Sequence, residues 1–185
     1  MAQLNIPAEE RTLTDPDEIR AYLKPFGIWY EKWEVEGRIG TDATDEEILA
    51  AYEPEITRLK EAGGYVTADV INVTPETPNL GAMLEKFNKE HTHHEDEIRF
   101  TVKGKGLFHL HPEEETVFSV TVEAGDLINV PNGMKHWFHL CEEKTIRCIR
   151  LFEDPAGWTP HYSENGVHEN YLPLCWGGPK KENLN

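Results

Sequence analysis

Glu90-His91-Thr92-His93-His94-Glu95-Asp96-Glu97-Ile98-Arg99-Phe100 gathers three histidines and four acids ahead of a run that alternates polar with apolar residues. In an extended chain residues two apart share a face, so His91, His93, Glu97 and Arg99 can project to one side while Ile98, Phe100 and Val102 pack on the other. Imidazole nitrogen and carboxylate oxygen together suit a first-row divalent metal, and two histidines plus a carboxylate are a pattern of non-haem iron sites. The same alternation from Glu97 to Lys103 also describes the solvated face of a half-buried strand. This block alone leaves both readings open.

A second block, Gly125-Asp126-Leu127-Ile128-Asn129-Val130-Pro131-Asn132-Gly133-Met134-Lys135-His136, uses a Pro/Gly turn to deliver one more histidine. The pair His91-x-His93-x3-Glu97-x6-Gly104 and Gly125-x5-Pro131-x-Gly133-x2-His136 resembles the two cupin motifs. Departures are Glu85, where the pattern opens with Gly, and Leu140, where it closes with Asn; neither removes a ligand. The resemblance implies a mainly β protein with N-terminal helices, folded as a double-stranded β-helix, the small jelly-roll barrel. It also implies a metal held by His91, His93, Glu97 and His136. With four protein ligands, one octahedral Fe(II) or Ni(II) per chain keeps two adjacent positions for a bidentate oxygen chelate.

Outward from these blocks, period-two patterning predicts strands over Tyr65–Val73, Glu97–Lys103, Gly106–His111, Val117–Val122, Asp126–Val130, His136–Leu140 and Thr145–Phe152. On the N-terminal side, Asp15 and Pro16 open a short helix through Ile19 and Leu23, closed by Pro25 and Gly27. Thr44-x-x-Glu47 is a capping box for a second helix, and Pro54 starts a third that Gly63-Gly64 stops. Leu80–Phe87 reads as a further helix. Residues 1–13 are expected to be a flexible lead-in. One structural domain results, with an N-terminal helical extension (1–63), a metal-binding barrel (64–160) and a loop-rich C-terminal tail (161–185).

A narrower resemblance rests on Glu90-His91-Thr92-His93 with Asp96-Glu97-Ile98-Arg99-Phe100, then His136-Trp137-Phe138, Ile149-Arg150-Leu151-Phe152 and Pro155-Ala156-Gly157-Trp158. Over residues 65–160 the chain resembles the acireductone dioxygenases. That implies a cytoplasmic enzyme of methionine salvage acting on 1,2-dihydroxy-3-keto-5-methylthiopentene and O2. With Fe(II) the family yields 4-methylthio-2-oxobutanoate and formate; with Ni(II) it yields 3-methylthiopropanoate, formate and CO. Other metal-dependent cupin enzymes, such as a different dioxygenase or a sugar isomerase, and a non-catalytic ligand-binding cupin are the alternatives.

An acireductone is an electron-rich enediol whose deprotonated oxygens can chelate a divalent ion. Such a dianion leaves the centre with surplus negative charge, and Arg99 and Glu95 are the candidate catalytic residues: Arg99, on the same face as the ligands and lining the pocket, would offset that charge, bonded to substrate or to a partner acid such as Glu95. Arg150, an arginine in an apolar strand, is a further candidate pocket residue that needs a partner, either substrate or a structural carboxylate. Phe87 and Phe138 are candidate apolar walls for the methylthio chain. His94, His109, His111, His139, His161 and His168 fall outside the motif spacing and are set aside, and Glu113-Glu114-Glu115 reads as a solvated hairpin loop.

The whole chain of 185 residues has 18 basic and 34 acidic side chains, a net charge of −16. The acidity is spread along the sequence, so its field repels phosphate backbones and anionic headgroups and disfavours nucleic-acid and membrane partners. High net charge favours solubility and a monomer. Three cysteines without a C-x-x-C pair, Cys141, Cys148 and Cys175, are expected to be ordinary thiols.

Overall fold

The structure, a computed structural model, describes residues 2–112, 116–154, 158–171 and 173–176. Glu113–Glu115, expected as a hairpin loop, Pro155-Ala156-Gly157 of the quoted motif and residues 177–185 lie outside the described residues.

The central element is a strand of 15 residues, β6 (Glu97–His111), which serves two antiparallel sheets in turn. Its first half pairs with β8 (Asp126–Val130) and β10 (Ile146–Phe152), and these extend to β3 (Trp29–Lys32) and β4 (Thr67–Val73). Its second half pairs with β7 (Phe118–Glu123) and β9 (Lys135–Leu140). Beyond β7 lie β1 (Gln3–Ile6) and β2 (Arg11–Leu13); beyond β9 lie β5 (His91–Thr92) and β11 (His161–Tyr162). Two sheets sharing one bent strand make the jelly-roll barrel.

The bend falls at Gly104, whose φ of +82° is open to glycine at little cost. A Cβ there would lie 2.0 Å from the Thr145 carbonyl oxygen. The two strands expected over Glu97–Lys103 and Gly106–His111 are therefore one strand with a glycine kink.

Even-numbered Ile98, Phe100 and Val102 face outward against α2 (Asp45–Ala51) and α3 (Glu53–Gly63), where Ile48, Tyr52, Ile56 and Leu59 form one apolar cluster with Leu127, Ile149 and Leu151. Thr44 and Glu47 form the reciprocal capping box that starts α2. Asp15 caps α1 (Pro16–Leu23) by accepting from the Asp17 and Glu18 amides. The barrel interior is the second cluster, around Phe108, Phe118, Val120, Ile128, Val130 and Phe138, with α1 and β1 packed on it. The short α4 (Leu80–Glu85) precedes the histidine block.

Three expectations need correction. Residues 1–13 are not a flexible lead-in: β1 and β2 form a hairpin whose Leu4 and Ile6 are buried and whose β1 pairs with β7. The stretch 1–63 is not only helical, because β3 also lies in it, tied to β8 by the Tyr30 hydroxyl donating to Asp126 at 2.7 Å. The expectation of three thiols fails for two of them: Cys141 and Cys175 form a disulfide closing 34 residues, while Cys148 is free and buried. Absence of a local C-x-x-C says nothing about cysteines that the fold brings together from a distance.

Candidate metal centre

His91 lies on β5, Glu97 opens β6 and His136 is the second residue of β9, and all three are drawn together by backbone pairing: His91 is opposite His136, and Glu97 is opposite Val130. His93 reaches the interior from the irregular link between β5 and β6, where Gly133 N–H donates to its carbonyl at 3.1 Å. One ligand atom from each residue falls within 4.8 Å of every other, and all four side chains are buried.

The second nitrogen of each imidazole sets its tautomer. His91 Nδ1 lies 2.6 Å from the Lys89 carbonyl, His93 Nδ1 2.9 Å from Thr159 and His136 Nδ1 2.8 Å from Met134. A carbonyl oxygen only accepts, so each Nδ1 carries the proton and each Nε2 presents a lone pair to the interior. His91 Nε2 and His93 Nε2 are buried without a hydrogen-bond partner among the described residues. Glu97 Oε2 lies 3.0 Å from His93 Nε2 and 3.2 Å from His136 Nε2. Lone pairs packed this closely repel unless a cation stands among them, and the donor set suits a divalent transition metal. The residues fit such an ion.

At His91 and Glu97 the electrostatics agree. Burial pushes the His91 imidazole down to about 3, which keeps it neutral as a ligand must be. Burial alone would raise the Glu97 carboxyl, but Arg99 and the two imidazoles outweigh it and hold it well below the usual carboxylate range.

Arg99 Nε donates to Glu97 Oε1 at 2.6 Å, leaving Oε2 turned to the histidines. Its guanidinium carbon sits 5.0 Å from the rings of both Phe138 and Trp158 and 5.8 Å from Phe108. The Phe87 ring lies 6.0 Å from that of His91, and the Phe87 carbonyl accepts from Phe138 N–H at 2.7 Å. Phe87, Phe138 and Arg99 are thus gathered at the centre. Arg150, expected in the substrate pocket, lies opposite Arg99 in the β10–β6 register and is held by Asp69, a structural carboxylate, at 2.9 and 2.6 Å.

Glu95 is the exception. Its Oε2 accepts from the Glu153 and Asp154 amides at 2.7 and 3.2 Å, fixing the end of β10. The acid paired with Arg99 is Glu97, because residues i and i+2 of one strand share a face, whereas Glu95 lies before β6 begins. His94 is exposed and packs on His161 with ring centroids 4.1 Å apart, and His109 stacks on Trp137 at 4.8 Å; neither joins the cluster.

Several participants have no signal of their own in the sequence. Trp158, inside the quoted motif but given no role there, stacks on His93 at 6.1 Å as well as facing Arg99. Glu90 is buried and bridges His111 Nδ1 and Asn165 Nδ2, both at 2.6 Å. Only its place beside His91 in a run of polar residues hinted at it.

A jelly-roll barrel with three imidazoles and one carboxylate converging inside defines a metal-binding cupin. Comparison with known proteins narrows this further. The ARD/ARD′ family model matches residues 7–160, and the chain belongs to that family. It is 45% identical over 174 residues to an acireductone dioxygenase from Picosynechococcus sp., covering 94% of this chain and 99% of that one. It is 40% identical over 175 residues to an acireductone dioxygenase from Aquifex aeolicus, covering 92% and 95%. Among solved structures, an acireductone dioxygenase from Bacillus anthracis with a cadmium ion in its active centre aligns at a TM-score of 0.80 and 36% identity, over 88% of this chain and 98% of that one.

Proposed function

We propose that this protein is an acireductone dioxygenase of methionine salvage, cleaving 1,2-dihydroxy-3-keto-5-methylthiopentene with O2. The observation that carries the proposal is the convergence of His91, His93, Glu97 and His136, with lone pairs turned inward, in a chain of this family. These four residues would hold Fe(II) or Ni(II), one per chain. When bound, the ion would supply Lewis-acid charge that stabilises the deprotonated enediol. The Fe(II) form would give 4-methylthio-2-oxobutanoate and formate, the Ni(II) form 3-methylthiopropanoate, formate and CO.

The remaining work belongs to the protein. Carbonyls of Lys89, Thr159 and Met134 keep the imidazoles in the ligand tautomer. Arg99 compensates Glu97, so the substrate dianion would meet one uncompensated negative charge fewer, an effect worth most in a site from which water is excluded. Phe87, Phe138 and Trp158 supply apolar walls for the methylthio chain. Glu95 acts by anchoring the link that carries His93, and Arg150 backs Trp158, whose ring lies 5.5 Å from its guanidinium carbon.

No helix among the described residues is long and apolar enough to cross a membrane. We place the enzyme in the cytoplasm, as a monomer kept apart by its net charge of −16, with no nucleic-acid partner.

Substrate prepared without oxygen, mixed with protein loaded with Fe(II) or with Ni(II) and then exposed to O2, tests the reading. Acireductone absorbance should decay faster than in buffer, with CO released only by the Ni(II) form. Decay no faster than in buffer with both metals would overturn it.

A further inference from the structure

Asp96 lies between Glu95 and Glu97, three residues after His93, and its carboxylate gathers donors from three other parts of the chain. Oδ2 accepts from the Tyr65 hydroxyl at 2.9 Å, between α3 and β4, and from Asn129 Nδ2 at 3.0 Å, on β8. Oδ1 accepts from the Asn132 amide at 2.9 Å, in the turn between β8 and β9. The Asp96 carbonyl accepts from the Trp158 indole at 3.2 Å.

The same turn is stitched to the neighbouring residues of this link: Asn132 Nδ2 donates to the His94 carbonyl at 2.8 Å and Gly133 N–H to the His93 carbonyl at 3.1 Å. His136 leaves that turn, and the Met134 carbonyl within it fixes the His136 tautomer. Trp158 in turn lies against His93, Arg99 and Arg150. The three donors described around its carboxylate are neutral N–H and O–H groups, so it accepts from each, and together they fix its orientation. Burial, with Asp96 beside it, pushes the Tyr65 phenol up, so that partner stays a donor at every working pH.

We infer that Asp96 is a positioning residue of the metal centre, joining the His91-x-His93…Glu97 block to the turn that presents His136 and seating Trp158 against Arg99. The inference rests on the reading of these four residues as metal ligands. It assigns Asp96 no contact with metal or substrate. Partners that orient ligands without touching the ion typically alter metal affinity or activity by about 10- to 100-fold.

Co(II) is the probe, because its visible absorption reports ligand geometry. Wild type, Asp96→Ala, Asp96→Asn and Tyr65→Phe are each loaded with one equivalent, their spectra recorded, and Co(II) loss to excess EDTA followed. Asp96→Ala should lose Co(II) at least about 10-fold faster with a shifted spectrum. Asp96→Asn, which keeps one acceptor, should fall between, and Tyr65→Phe should speed loss a few-fold.

Should Asp96→Ala fail to fold, the two milder variants carry the test, since neither changes side-chain volume appreciably. Spectra and loss rates equal to wild type, even with a lowered melting temperature, would reduce Asp96 to a stabilising residue and overturn the inference. A wild-type protein that takes up no Co(II) would overturn the ligand reading itself, and this inference with it.

Discussion

At the scale of single residues, Glu97 has two jobs that can be separated. One oxygen faces the imidazoles; the other neutralises Arg99, which is itself almost fully buried. Removing one partner of a buried ion pair costs about 3–5 kcal/mol, because the other charge is left without compensation. Glu97→Gln should therefore lose the metal and also lower the melting temperature of the metal-free protein by roughly 6 °C or more. His136→Ala should lose the metal too, yet leave the Glu97–Arg99 pair in place and lower the metal-free melting temperature less. Elemental analysis and calorimetry of the two apoproteins check this; equal melting temperatures would show that the pair contributes little. Arg99→Lys asks a different question. Lysine keeps the charge but not the flat face that lies against Phe138 and Trp158. Metal content should stay near one per chain while kcat/KM falls about 10- to 100-fold; an unchanged kcat/KM would show that charge alone suffices.

At the scale of elements, the ligands were legible because His-x-His, Glu and the distant His sit at spacings that a strand and a turn convert directly into one site. The parity that places them on one face holds for Glu97 and Arg99, which lie within β6. It does not by itself account for His93, which lies off the strand and is aimed by Thr159 and Gly133. Parity along the chain also makes Glu95 a candidate partner for Arg99, but β6 begins only at Glu97, and the start of the strand between them decides otherwise. The unity of β6 was hidden by Gly104, which reads as a turn and acts as a kink within one strand. Gly104→Ala tests that role. The left-handed conformation alone costs about 1–2 kcal/mol for a residue with a Cβ, and the Thr145 carbonyl stands in the way of the new methyl. The melting temperature should fall by at least roughly 4 °C. A variant as stable as wild type would mean that β6 and β10 can shift apart without penalty.

At the scale of the whole molecule, what the sequence concealed is what long-range packing supplies. β1, β2, β3 and β11 are two to four residues long, too short for a period to show, and exist because a sheet edge accepts them. The Cys141–Cys175 bond belongs to the same category. After β10 the chain returns across the centre, pairing His161 and Tyr162 with Thr92 and His91, then packs His168 and Tyr171 against Trp137 before reaching Cys175. Trp137 follows His136, so the C-terminal segment covers the strand that carries a ligand. A cross-link closing 34 residues restricts the unfolded chain by about 3–4 kcal/mol in the loop-entropy account. Reduction should accordingly lower the melting temperature by on the order of 5–15 °C, and Cys141→Ser with Cys175→Ser should reproduce that loss without responding to reductant. Cys148 provides the internal control: it is buried, and burial pushes its thiol up to about 11, so it should resist alkylation in the folded protein. Protein purified without reductant and digested without reduction should yield one peptide pair joined through Cys141 and Cys175. If native protein instead takes up alkylating reagent at both of these cysteines, the segment is held by packing alone and the melting temperature should be indifferent to reductant.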